Sequence, residues 1–228
     1  MGPGAEVINL GSNIMFLKRL RIPLLILVSG VVALTSAAPV ALAEDKAAAW
    51  YPRTEKVGPD EMFIVALGTG MPTPVTRGQK ASASYVEVGN GDIFLFDMGS
   101  GSIENLFALR PEFHRVDKIF ASHLHTDHWA DLNALWAGGW TAGRPVPLRV
   151  WGPSGQTEDM GTAYAIDHFV KAFNWDYQTR AYKITPEPGG ITVKEFDYRQ
   201  ENEVVYNRNG IVVRSIPAIH TGDGSVSF

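Results

Sequence analysis

Four side chains that could bind a metal ion lie in the stretch Ser-His-Leu-His-Thr-Asp-His at positions 122–128. In an extended backbone His123 and His125 point to the same side, because side chains alternate across a strand. A turn after them would swing Asp127 and His128 to a neighbouring position. Imidazole and carboxylate are ligands that Zn²⁺ prefers. The spacing therefore predicts two adjacent metal pockets, and the alternative is a polar loop with solvated histidines.

Strand and helix patterns alternate along the chain around this stretch. Apolar or alternating runs predict strands over 62–67, 83–88, 92–96, 116–121, 148–151, 191–196, 203–206 and 211–216. Helical spacing of apolar residues predicts helices over 103–109, 129–136 and 157–180. This order predicts an α/β sandwich in which helices cover packed sheets. The histidines would then follow the carboxyl end of a strand, where ligands bind in such proteins.

The pattern His-x-His-x-Asp-His resembles the signature of the metallo-β-lactamase superfamily of metallohydrolases at all four liganding positions. Leu-Gly-Thr-Gly at 67–70 and Pro-Ala-Ile-His at 217–220 resemble segments of its ribonuclease Z and arylsulfatase-like branch. The order of motifs is also similar to that of the guanitoxin-biosynthesis-type hydrolases of this superfamily. The resemblance implies a four-layer αββα sandwich with metals at one edge, between its two sheets.

The resemblance also implies a site for two zinc ions. His123, His125 and His220 would hold the first ion. Asp127 and His128 would begin the second site, and Asp127 would also serve in catalysis by orienting a metal-activated water. The family completes the second site with a bridging Asp and a further His, and neither follows His220 in a matching context here. We therefore expect a C-terminally truncated chain in which the second half of the sandwich is incomplete.

Two more carboxylates are candidates for the surroundings of the metals. Asp97 follows a predicted strand in Phe-Asp-Met-Gly-Ser-Gly and occupies the place of a family Asp in a D-x-G turn. It could orient the histidine ligands without binding the metal itself, or it could form a turn with nearby backbone N–H groups. Asp131 stands where the family usually has Gly, and it would add a carboxylate beside the metals.

The composition excludes some kinds of metal site and does not indicate a nucleic-acid partner. The chain has 228 residues, of which 45% are hydrophobic and 19% charged, which suits a globular protein with a substantial core. There is no cysteine, so thiolate ligands and disulfides are excluded. The net charge is −4 without a long basic run, so bulk electrostatics do not indicate nucleic-acid binding.

The N-terminal part is typical of a secretory signal peptide over residues 1–43. Basic residues precede an apolar run over 22–34, and Ala-Leu-Ala ends at Ala43 before an acidic pair. Residues 44–60 would be a linker and residues 61–228 the truncated metallo-β-lactamase-like domain. An uncleaved membrane anchor is the alternative, although the run is shorter than the ~20 residues that a span requires. The prediction is a secreted or periplasmic protein without a stable membrane anchor after cleavage.

These features lead to one main functional hypothesis and two alternatives. The main hypothesis is an exported zinc-dependent hydrolase that cleaves an ester-type bond of a small molecule, which could be a sulfate ester, a phosphodiester, or a carboxylic ester or lactone. Nucleic acid is an unlikely partner in this hypothesis, because 24 acidic residues outnumber 20 basic ones. The alternatives are a ribonuclease Z-like phosphodiesterase that acts on tRNA, and a non-catalytic metal-binding remnant without the second site. The oligomeric state does not follow from the sequence.

Overall fold

The computed structural model describes residues 56–72 and 78–228. The predicted signal peptide and the first part of the predicted linker lie outside the described residues. Within the described ranges, no helix combines the length and apolar character needed to cross a bilayer.

The larger sheet has six strands in the order of the sequence. Its strands are β1 (Met62–Gly68), β2 (Ala83–Val88), β3 (Ile93–Phe96), β4 (Lys118–Phe120), β5 (Leu148–Pro153) and β6 (Ile191–Phe196). β1, β2 and β3 pair antiparallel, whereas β3 to β6 pair parallel. Parallel neighbours require long crossovers, and helices fill each of them.

Five α-helices lie in these crossovers. They are α1 (Ser102–Leu109), α2 (Thr126–Trp129), α3 (Leu132–Thr141), α4 (Thr162–Ala172) and α5 (Asn174–Ala181). The prediction of one helix over 157–180 was wrong, because the chain breaks at Phe173 between α4 and α5. Apolar residues at helical spacing continue across this break, so the pattern could not reveal it. The helix predicted over 129–136 is also divided, into α2 and α3.

The smaller sheet has three antiparallel strands, β7 (Glu203–Arg208), β8 (Ile211–Pro217) and β9 (Val226–Ser227). It packs on one face of the larger sheet through an aromatic cluster. Phe94, Phe120 and Trp151 come from the larger sheet, and Tyr206 from β7 meets all three rings edge-on. Aromatic pairs of this kind add to the stabilisation that burial alone provides.

The helices cover the opposite face of the larger sheet. Leu95, Ile119 and Val150 alternate with the residues of the aromatic cluster and pack against α1, α3 and α4. Alternation along each strand thus supplies two separate cores. The resulting layers are helices, sheet and sheet, which confirms the predicted mixed α/β sandwich. Val204, Val212 and Ile216 of the smaller sheet stay exposed.

Candidate metal centre

The centre forms where the carboxyl ends of β3 and β4 meet. Phe96 and Phe120 are register partners in this parallel pair, so the residues that follow them leave the sheet at the same edge. The backbone N–H of Asp97 donates to the Phe120 carbonyl over 2.8 Å, which continues the ladder by one step. The sheet therefore brings Asp97 and the histidine stretch together, although they are distant in sequence.

Three histidine rings converge in front of this edge. His123 Nε2 lies 3.1 Å from His125 Nδ1, and His220 Nε2 lies 3.3 Å from the same atom. One ligand nitrogen from each ring lies within 4.8 Å of the others. His123 is buried, whereas His125 and His220 are exposed. The triangle of nitrogens therefore has a buried corner and an open side toward solvent.

The spacing of these nitrogens fits a divalent metal ion. Tetrahedral zinc at its usual distance from nitrogen would hold two histidine nitrogens about 3.3 Å apart. The observed separations of 3.1 and 3.3 Å agree with that value. Three imidazoles that leave a fourth position open are typical of a catalytic metal site. The structure thus brings together the three residues that were predicted to bind the first ion.

Asp127 and His128 form a second group beside the triangle. The short helix α2 begins after His125 and turns these two residues inward. Asp127 Oδ2 lies 3.5 Å from His128 Nε2, and the Asp127 side chain is buried. Its other oxygen, Oδ1, is buried without a hydrogen-bond partner among the described residues. A buried carboxylate oxygen without a partner is costly, and a cation beside it would remove that cost.

The pKa values of two histidines in the centre shift in opposite directions, and that of His123 suits metal binding. Burial, and then the nearby rings of His128 and His220, lower the pKa of His123 to about 4. His123 is therefore neutral at neutral pH, as a ligand must be. Burial alone would also lower the pKa of His128, but the hydrogen bond and charge of Asp97 and the charge of Asp127 outweigh burial and raise it.

Asp97 contacts the histidine stretch directly. Its Oδ1 accepts the backbone N–H of Ser122 over 2.7 Å, and its Oδ2 accepts the Ser122 hydroxyl over 2.8 Å. The same Oδ2 lies 2.7 Å from His128 Nδ1. The contact with His128 agrees with the orienting hypothesis, whereas the backbone N–H bound by Asp97 belongs to Ser122, 25 positions away, and not to a local turn.

Asp131 is placed differently from the prediction. Its Oδ2 accepts the backbone N–H of Ile103 over 3.0 Å, in the first turn of α1. The N-terminal turn of a helix has unpaired N–H groups, so a carboxylate is stabilised there. The Asp131 carboxylate therefore binds α1. Its predicted role beside the metals is not supported by a hydrogen bond to the candidate ligands in the described part of the chain.

Two residues of the centre escaped sequence analysis. Ser122 Oγ lies 3.1 Å from His123 Nδ1. In the sequence, the one indication of this contact is that Ser122 directly precedes the first histidine. Gly99 lies so close to the Asp127 carbonyl that a Cβ atom would collide with it. Glycine is needed where two backbones approach in this way. Gly99 lies in the glycine turn after β3, which was recognised only as a turn.

The centre opens into a cavity of about 790 Å³. Its polar lining includes Asp97, Ser122 and three histidines, His123, His128 and His220. Much of its wall is apolar, and that part includes Met62, Val86, Phe96, Val212, Ile219 and Phe228. A polar, metal-binding floor with an apolar wall is a common arrangement in small-molecule sites.

Comparison with known proteins identifies the family. The sequence model described as the metallo-beta-lactamase superfamily matches residues 76–221, which is more than half of the chain. The chain belongs to the metallo-beta-lactamase superfamily. This assignment agrees with the histidine triad and with the two-sheet core.

Relatives within the superfamily carry the name ribonuclease Z. The protein from Mycobacterium marinum is 31% identical over 162 residues, which are 69% of this chain and 54% of the relative. The protein from Methanosarcina mazei is 30% identical over 123 residues, which are 54% of this chain and 38% of the relative. The chain thus spans about half the length of the curated relatives that it matches.

Two solved structures are also similar to parts of this chain. Human tRNase Z, short form, has a TM-score of 0.47 and 21% identity, over 67% of this chain and 59% of that one. The metallo-beta-lactamase fold protein YhfI from Bacillus subtilis has a TM-score of 0.43 and 17% identity, over 68% and 57% of the two chains.

Proposed function

We propose that this protein is a zinc-dependent phosphodiesterase of the ribonuclease Z type, with RNA as its substrate. The observation that carries the proposal is the nitrogen triangle of His123, His125 and His220 in a chain similar to ribonuclease Z. A ribonuclease cleaves phosphodiester bonds, and this is the chemistry that the similar relatives suggest. The proposal replaces our main hypothesis from the sequence, in which nucleic acid was an unlikely partner.

The protein's own residues prepare the centre for this chemistry. His123 is neutral and buried, so its ring can offer a lone pair at neutral pH. Asp127 Oδ1 has no partner among the described residues and is free to accept a proton from a bound water or to face a cation. His125 and His220 border the open side, through which a substrate can approach.

A zinc ion bound by these residues would polarise a phosphoryl oxygen and lower the pKa of a bound water to about 7. Imidazole and carboxylate donors suit zinc, and His123, His125 and His220 would hold it. Asp127 and His128 would contribute to a second ion.

The cavity wall supports a second candidate substrate. Phe96 and Phe228 lie 5.4 Å apart between their ring centres, and both line the cavity with Val86. Such a wall would accept the aryl or alkyl group of a small ester. A small aryl phosphodiester or sulfate ester therefore remains the alternative to RNA.

The test compares three substrates with zinc supplied to the 228-residue chain. We expect kcat/KM to be higher for a precursor tRNA and for bis(4-nitrophenyl) phosphate than for 4-nitrophenyl sulfate. Asp127→Asn should abolish turnover of every substrate, whereas His168→Ala, on the exposed face of α4, should change none. Faster cleavage of the sulfate ester would overturn the phosphodiesterase proposal. Zinc binding without turnover of any substrate would favour the non-catalytic alternative.

We also propose that the protein is exported and cleaved after Ala43. The basic segment, the apolar run and the small residues before Glu44 support this. N-terminal sequencing of the protein from the periplasm or medium should begin at Glu44. Uncleaved protein recovered from membranes would show that the segment is an anchor, and an intact N-terminus in the cytosol would show that it is neither.

A further inference from the structure

We propose that Ser122 is a positioning residue that holds the proton of the His123 ring on Nδ1, under the control of Asp97. The proposal rests on the metal-binding role of His123. Ser122 lies between the two side chains, so Asp97 acts on His123 through the Ser122 hydroxyl.

The first step is the direction of the serine hydroxyl. Ser122 Oγ lies 2.8 Å from Asp97 Oδ2, 3.1 Å from His123 Nδ1 and 3.2 Å from His128 Nδ1. The hydroxyl has one proton to donate. A hydrogen bond to a carboxylate is stronger than one to a neutral ring nitrogen, and the contact with Asp97 is the shortest of the three. Ser122 therefore donates to Asp97.

The second step concerns the two rings. His128 Nδ1 lies 2.7 Å from Asp97 Oδ2, a distance at which the ring nitrogen must donate because a carboxylate can only accept. Because the Ser122 hydroxyl donates its one proton to Asp97, its oxygen can only accept a hydrogen bond from His123. The His123 proton is thereby held on Nδ1, where it donates to Ser122 Oγ.

The third step is the consequence for the metal. A neutral imidazole protonated on Nδ1 has its lone pair on Nε2, and His123 Nε2 is the atom that points toward His125 and His220. His128 also carries a proton on Nδ1, and its Nε2 faces Asp127. One carboxylate thus sets the tautomers of two rings in the two halves of the centre, directly in one case and through Ser122 in the other.

The position of Ser122 is fixed independently of these side chains. Its carbonyl accepts the backbone N–H of Val226 over 3.0 Å, and its own N–H donates to Asp97. Both main-chain groups of Ser122 are therefore engaged. A hydroxyl on this anchored backbone is pre-organised, which is the condition for orienting a ligand.

The experiment begins with the metal-free wild-type chain at neutral pH. Long-range proton–nitrogen NMR correlations of the imidazoles report which ring nitrogen is protonated. We expect Nδ1 of His123 to be protonated and Nε2 to be unprotonated. A His123 ring protonated on Nε2 would overturn the proposal without the need for any variant.

Zinc affinity then tests the function of the relay. Ser122→Ala should weaken zinc binding by about tenfold or more and increase the fraction of His123 protonated on Nε2. Ser122→Thr keeps a hydroxyl and should restore both properties. Ser215→Ala is the matched control, because Ser215 is fully buried and its Oγ has no partner in the described part of the chain. This control should bind zinc as the wild type does.

The outcomes separate this proposal from the proposed function. If wild-type protein binds no zinc, the metal site itself is wrong, while the NMR measurement still decides whether the relay exists. If wild type binds zinc and Ser122→Ala binds it equally well, the relay is wrong and the metal site stands. Equal losses in Ser122→Ala and Ser122→Thr would show that packing matters rather than the hydroxyl, and would also overturn the proposal.

Discussion

Asp97 Oδ2 lies 2.7 Å from His128 Nδ1, although 31 positions separate the two residues in sequence. The contact exists because β3 and β4 are parallel neighbours that end together. Asp97 has a φ of 61°, in the left-handed region that few residues other than glycine, asparagine and aspartate adopt. This backbone conformation directs the carboxylate at Ser122 and His128, so local strain is accepted where it orients candidate ligands.

Replacing this carboxylate should weaken metal binding. Asp97→Asn keeps the size of the side chain and tolerates the same backbone conformation, but it removes the charge that His128 and Ser122 share. We expect metal affinity to fall by about 10- to 100-fold. Equilibrium dialysis against zinc measures the change. Asp159→Asn is the control, because this exposed carboxylate accepts a hydrogen bond from Thr157, and an equal loss there would contradict the specific role of Asp97.

The histidine triangle should account for the bound metal. We expect purified wild-type protein to bind zinc and His123→Ala to lose this binding, because the variant removes the buried corner of the triangle. Elemental analysis after gel filtration gives the metal content. His168→Ala should keep the wild-type content, since His168 lies on α4 and stacks on Tyr164. Folded wild-type protein without metal under zinc-replete conditions would refute the site.

Sequence reasoning was most successful where chemistry and periodicity agreed. His123 and His125 were predicted to point the same way, and their ligand nitrogens do converge. His220 was placed with them only through the resemblance to a family, because a single histidine has no periodic signal of its own. Asp131 was assigned from a family position, and the structure shows its carboxylate on α1 instead. Which of several neighbours a carboxylate binds depends on tertiary packing, which spacing along the chain does not encode.

A contact between two turns should make stability depend on pH. Asn209 Nδ2 donates to Asp92 Oδ2 over 3.1 Å, and Lys118 Nζ lies 3.0 Å from Asp92 Oδ1. Partial burial alone would raise the pKa of Asp92, but the hydrogen bond from Asn209 and the contact with Lys118 outweigh it and lower the pKa below 3.8. The charged form therefore stabilises the fold above that pH, and the contribution is lost as the pH falls through the lowered pKa.

Asp92→Ala tests this linkage. The variant should have a lower free energy of unfolding than wild type at neutral pH. The difference should shrink as the pH falls below 3.8, where wild type also loses the charge. Urea unfolding at several pH values measures it. Glu201→Ala, at an exposed turn residue, should show no such difference, and a pH-independent gap for Asp92→Ala would refute the electrostatic explanation.

Arg144 should be a large contributor to stability. The side chain is 1% exposed, and its nitrogens donate to the carbonyls of Trp136, Val146 and Pro188. Burial lowers the pKa of Arg144 to about 10, so the group stays charged at neutral pH. Arg144→Met would leave these carbonyls without their donor, which should lower the free energy of unfolding by about 3 kcal/mol. The exposed Arg208→Met should change it little, and similar values for both variants would contradict this reading.

The origin of the three triangle histidines has a thermodynamic consequence. His123 and His125 extend from the larger sheet, whereas His220 follows β8 of the smaller sheet. An ion held by all three would link the two sheets, and it would bind only when both sheets are folded together. At a free ion concentration of one hundred times Kd, such selective binding adds about 2.7 kcal/mol to the free energy of unfolding. The free energy of unfolding of the chain would then depend on the zinc concentration.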